Sequence, residues 1–184
     1  TFIQLAKNAE SKIDFRHTIQ SALHELKDRF FDYESKTTLA GFVFNRVDRV
    51  TAEDHQVQIS AKELLPRKLS TQYLDGQSLS TTGLFIPKGR FDITFNVKNS
   101  ALPAVLIIRN YERRQSGTIR YLLNGKTIEN CERSRGAFSH RWQNLGWLIP
   151  SEHLVSENNQ LTIRIEDSDL DFGFFDLAVY QHPH

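Results

Sequence analysis

From Ala9 to about Glu34 the chain contains neither Gly nor Pro, and Phe15, Ile19, Ala22, Leu26, Phe30 and Tyr33 recur three or four residues apart among Glu, Lys, Asp and Arg. That period predicts one amphipathic α-helix, with Asn8 as its N-cap and Glu25 and Arg29 as an i, i+4 pair. Two uses of the stripe fit the pattern. It can pack on the chain's own body, or it can support a homo-oligomer through a short coiled-coil-like seam with a stutter between Leu26 and Phe30. A seam of so few heptads is marginal by itself, so the packed helix is the preferred reading and self-association the alternative.

After Lys36 the period changes to two. Leu39 to Val50, Gln56 to Ala61 and Leu79 to Ile86 are candidate strands, and Phe91, Ile93, Phe95 and Val97 alternate cleanly onto one face. Leu64 to Gln77, with Pro66 and Asp75-Gly76, predicts a connection holding at most a short strand near Gln72 to Leu74. Val105 to Ile108 form a continuous apolar run, which suits a strand covered on both faces or a strand leaving the sheet at a bend. Arg109 to Arg114 is then expected as a loop. Thr118 to Leu123 alternates into Asn124-Gly125, a strong two-residue hairpin signal. Ala137 to Trp142 and Gly146 to Ile149 read as two short pieces, and Leu161 to Ile165 and Phe174 to Tyr180 as the last strands. The predicted fold class is mainly β: an antiparallel β-sandwich or jelly roll preceded by one amphipathic N-terminal α-helix, with a helix and connector over 1–36 and the sandwich over 37–184.

Composition narrows the function classes. A chain of 184 residues can bury one sizeable core unaided. With 23 Lys and Arg against 22 Asp and Glu the net charge is +1, so no global field favours nucleic acid as a partner. No apolar run has the length of a membrane span, and a soluble chain with no readable address is expected. The lone Cys131 has no partner for a disulfide and mildly favours a reducing, cytoplasmic compartment. The chain has no methionine and opens on Thr1-Phe2-Ile3, which reads as a piece of a larger protein.

Catalytic motifs are missing from the sequence. It has no Gly-x-Ser-x-Gly, phosphate-cradling glycine loop or dinucleotide fingerprint, and its seven histidines lack zinc spacing. The expectation is therefore no catalytic residue, no cofactor and no enzyme activity, with Cys131 incidental. Asp167, Asp169 and Asp171 alternate as calcium ligands do, yet Gly173 falls one place late for an EF-hand and Ala178 stands where the closing Glu belongs. An acidic hairpin loop is the preferred reading and a calcium site the alternative.

The second half also has a distinctive order of parts: a strand ending in Asn124-Gly125, a basic loop, Trp142, Leu148-Ile149-Pro150 with Leu154, then Asn158 to Ile165, and Phe174 to Tyr180. This order resembles the galactose-binding-like β-sandwich of many carbohydrate-binding modules over roughly residues 79–180. The resemblance implies a non-catalytic module that recognises a glycan or polysaccharide, accessory to a larger polysaccharide-processing or exporting protein. Sugar faces stack on aromatic rings while hydroxyls and acidic groups need planar donors. Arg109, Tyr111 and Arg113, together with Arg135, Arg141, Trp142 and Trp147, supply that chemistry, and the excess of arginine suits an anionic sugar; Trp142 and Trp147, five apart across Gly146, each read equally well as a stacking platform or as a core plug. The runner-up function is a protein-interaction or assembly domain acting through the N-terminal helix.

Overall fold

A computed structural model describes residues 9–25, 34–72, 78–113, 119–128, 140–166 and 172–182. Helix α1 spans Ala9–Glu25. The strands are β1 Lys36–Leu39, β2 Phe42–Thr51, β3 Val57–Ala61, β4 Leu65–Gln72, β5 Ser78–Ile86, β6 Gly89–Phe95, β7 Ala104–Arg113, β8 Ile119–Leu123, β9 Lys126–Thr127, β10 His140–Ile149, β11 Asn159–Ile165 and β12 Phe172–Gln181. A 3₁₀ turn, Ser151–His153, separates β10 from β11.

The strands form two antiparallel sheets. In sheet A, β12 pairs with β7 along its length, and β7 pairs with β10. The other side of β12 is shared between β5 at Phe172 to Phe174 and β2 at Asp176 to Gln181, with β4 beyond β5 and β1 beyond β2. Sheet B runs β3-β6-β11-β8-β9. Between the sheets lies the main core, in which Phe91, Ile93, Leu161 and Ile163 of sheet B meet Leu106, Ile108, Phe174 and Leu177 of sheet A.

The apolar run of β7 explains a third layer. Strand alternation sends Leu106 and Ile108 inward and Val105 and Ile107 outward, so the outer face needs its own apolar cover. Helix α1 provides part of it: Ile19 and Leu23 are buried with Val105, Ile107, Ala178 and Tyr180, and Phe15 and Ala22 pack beside them. The described part of the helical stripe is thus packed on the sandwich. Leu26, Phe30 and Tyr33 lie outside the described residues, as does Asn8. No helix among the described residues is long and apolar enough to cross a membrane.

Four expectations about elements need correction. The stretch taken as one strand from Leu39 to Val50 is a hairpin, turned by Ala40 and Gly41 at φ 51° and 82°. Leu65–Gln72 is a full strand paired with β5; Pro66 is tolerated in it because an edge strand leaves half its amides unpaired. Arg109 to Arg113 belong to β7 and not to a loop, and His140 to Ile149 form one continuous strand opposite them. The Asn124-Gly125 hairpin is present, with both residues at positive φ (49° and 81°), the conformation a type I′ turn demands.

Candidate functional site

The described residues expected to bind ligand, Arg109, Tyr111, Arg113, Arg141, Trp142 and Trp147, stand on β7 and β10. Arg109 is only 5% exposed: its guanidinium lies 3.5 Å from the Asp176 carboxylate of β12, which is also 3.2 Å from Arg49 of β2. A buried charge in such a pair is held by its partners, so Arg109 is a structural cation and not a surface ligand arginine. Tyr111, half-buried, rests its ring against Phe85 at 5.8 Å. The β7–β10 register sets Trp142 opposite Tyr111, Arg141 opposite Glu112 and His140 opposite Arg113. Tyr111 and Trp142 therefore come together through strand pairing. Arg135 and the acidic residues Asp167, Asp169 and Asp171 lie outside the described residues.

Trp147 is 1% exposed and belongs to the core, its ring 5.0 Å from that of Tyr121. It is not an open stacking platform. Its indole Nε1 is nonetheless buried without a hydrogen-bond partner, and the residue lines a cleft of about 720 Å³. An unpaired buried N–H costs about 1–3 kcal/mol of free energy.

Three walls make this cleft. The strands β10 and β9 pair on one side only, each at an edge of its sheet, and α1 lies across the opening with Arg16, His17 and Gln20 facing it. Gln20 ties helix to strand: its Nε2 donates to the Gly146 carbonyl at 3.2 Å and its Oε1 accepts from the Leu148 amide at 3.5 Å, covering an otherwise open edge. Gly146 is required there because a Cβ would stand 2.8 Å from Leu23. Lys126 enters from β9, and His153 closes the end from the 3₁₀ turn.

A hydrogen-bond network fixes that end. The Asn124 side chain accepts from the Gln160 amide at 2.8 Å and donates to the His153 carbonyl at 3.0 Å and to Asn159 Oδ1 at 3.1 Å. Asn159 in turn exchanges two bonds with the Val155 backbone, each 2.9 Å. The asparagines of the Asn124-Gly125 and Asn158-Asn159 motifs thus hold the β9 turn and the 3₁₀ turn in fixed relation, which positions Lys126 and His153.

Charge in the cleft is predominantly basic. Arg16 meets Glu152 at 3.4 Å in an exposed pair at the rim. A backbone hydrogen bond to the Glu152 carboxylate and the Arg16 guanidinium beside it together lower its pKa below the usual glutamate value, against a smaller effect of burial. Lys126 and the imidazoles of His17 and His153 remain to meet a ligand, while no carboxylate, serine or cysteine is among the described lining residues. That set can hold an acidic or hydroxyl-rich group; it offers no pair of carboxylates for general acid–base work. Among the described residues no group of three or more His, Cys, Asp or Glu could hold a metal.

The sequence reading missed Arg16, His17, Gln20, Lys126 and His153. They come from three separate elements, and no local spacing joins them. No family model matches the sequence, and no curated protein matches it. Among solved structures the chain is similar to a CBM36 carbohydrate-binding module in complex with calcium and xylotriose, at 12% identity and TM-score 0.45, over 72% of this chain and 99% of that one. A family 35 carbohydrate-binding module from Clostridium thermocellum matches at 19% identity and TM-score 0.45, over 72% and 98%. A CBM22-1 xylan-binding domain from Paenibacillus barcinonensis matches at 9% identity and TM-score 0.44, over 77% and 97%.

Proposed function

We propose that this chain is a non-catalytic glycan-recognition module whose ligand carries a negatively charged group and enters the cleft between α1, β9 and β10. The observation that carries this reading is the composition of that cleft: a lysine, an arginine and two imidazoles with no carboxylate among its described lining residues. Its volume lies in the range of small-ligand sites, which are concave and use a few placed polar groups. The Tyr111–Trp142 strand pair, with Arg113, is proposed as a further contact for a longer chain, and the parent is proposed to be a polysaccharide-processing or exporting protein.

The test is a glycan array probed with the full chain, followed by titration of the hits against Lys126→Gln. Binding confined to acidic glycans, weakened roughly five- to thirtyfold by the substitution, is the expected result, since a charge-assisted hydrogen bond contributes about 1–2 kcal/mol. A chain that binds no glycan, or a variant that binds every hit as tightly as the parent, overturns it.

A further inference from the structure

The outer face of sheet B carries an arrangement that the cleft does not explain. In the register of the sheet, Arg164 of β11 lies opposite Arg90 of β6 on one side and opposite Arg120 of β8 on the other. All three side chains are exposed. Like charges directly opposite on neighbouring strands, with Cβ atoms about 4.5–5.5 Å apart, destabilise a sheet. Here the flanking members are compensated: Arg90 pairs with Asp92 at 2.7 Å and Arg120 with Glu166 at 3.2 Å. The central Arg164 has no ion-pair partner among the described residues. Two further exposed cations, Lys62 just after β3 and Lys88 just before β6, stand at the same end, where Ala61 pairs with Gly89.

We propose that this face is a second binding surface, for the sulfate esters of a linear sulfated polysaccharide. A sulfate ester remains anionic across the working pH range and presents three oxygens in a tripod, so it can accept from two neighbouring arginines of the row at once. Four outward positions nearby, Gln58, Ser60, Thr94 and Gln160, are amides and hydroxyls that suit sugar hydroxyls. The aromatic residues of these strands, Phe91, Phe95 and Tyr121, are all turned into the core, so the face has no ring on which a nucleobase would stack. The exposed large apolar side chains, Val43, Leu64 and Val155, lie outside these strands, and the half-buried Leu122 alone is too little apolar surface to enter a lipid layer. This surface is independent of the cleft and stands whether or not the cleft binds a glycan.

The experiment titrates the full chain with dextran sulfate, and with unsulfated dextran and a single-stranded oligodeoxynucleotide in parallel, at two salt concentrations. The expected result is salt-sensitive binding of dextran sulfate alone. Arg164→Gln weakens it roughly three- to fivefold, the upper end for one exposed charge pair, and lowers the salt slope by about one. The triple replacement of Arg90, Arg120 and Arg164 by Gln weakens it more than tenfold. Lys36→Gln, which removes the same charge from β1 of the other sheet, leaves binding within about twofold. The melting temperature of Arg164→Gln equals or exceeds that of the parent, because a like-charge contact is removed from an exposed site. Equal loss in Lys36→Gln, unchanged binding by the triple variant, or tighter binding of the oligonucleotide than of dextran sulfate each overturns the proposal.

Discussion

Sheets A and B face each other across one core and differ on their outer sides. Every position of β12, at the centre of sheet A, is buried, and Ala104 to Asn110 of β7 likewise; the outer face there is a second apolar cluster under α1. In sheet B, β11 buries Leu161, Ile163 and Ile165 but exposes Gln160 and Arg164. The pattern of each strand reports its surroundings: a continuous apolar run marks a strand between two layers, and strict alternation marks one with water on its far side. The arginines of the central strands follow the same division. On sheet A, Arg109 is held in a buried pair with Asp176, whereas on sheet B the arginines stand in the open.

The sharpest way to break this contrast is to remove the cover from sheet A. Leu23→Asp places a carboxylate against Gly146 and the buried cluster of Val105 and Ile107, and is expected to lower stability by about 2–4 kcal/mol, read from denaturant unfolding. The outward change on sheet B, Arg164→Gln, shifts stability by no more than about 0.5 kcal/mol. Comparable effects from both would mean that the helix contributes little to the folded sandwich.

Next in size is the hinge between the two edges. Asn124→Ala removes three side-chain hydrogen bonds and puts a β-carbon residue less suited to φ 49° into the turn, for an expected loss of about 1–3 kcal/mol. Because the same side chain fixes His153 relative to β9, glycan binding in the cleft should weaken beyond what the folded fraction explains. Binding that follows the folded fraction alone would show that the network supports the fold without shaping the site.

What the sequence made legible follows this division. The helix, the Asn124-Gly125 turn, the two-sided strand at Val105 to Ile108 and the terminal strands all leave periodic or turn-specific marks, and each is present. β4 was hidden because Pro66 and a run of basic and hydroxyl residues suggest a loop, while an edge strand needs only one paired side. The Ala40–Gly41 turn lacks the Asn or Asp that usually announces a hairpin. Arg109 looked like a ligand because its neutralising carboxylate comes from a distant strand, and charge pairing across a sheet leaves no trace in local spacing. The cleft was invisible for the same reason: Gln20, Lys126 and His153 converge only after the helix crosses the open edge.

The smallest expected effect is at the rim of the cleft, where Glu152 faces Arg16. The folded pKa of Glu152 is lowered, first by a backbone hydrogen bond and then by the Arg16 charge. A carboxyl whose pKa falls on folding contributes stability that is fully present above its unfolded value, about 4.3, and is lost as the pH drops through the folded value. Glu152→Gln should therefore unfold at slightly lower urea than the parent at neutral pH, and the two midpoints should converge in acid below the folded pKa. The pair is solvent-exposed, so added salt should shrink the neutral-pH difference. A difference that persists in acid would assign the effect to lost side-chain packing, and the Glu152–Arg16 contact would then have no electrostatic part in holding α1 over the edge of β10.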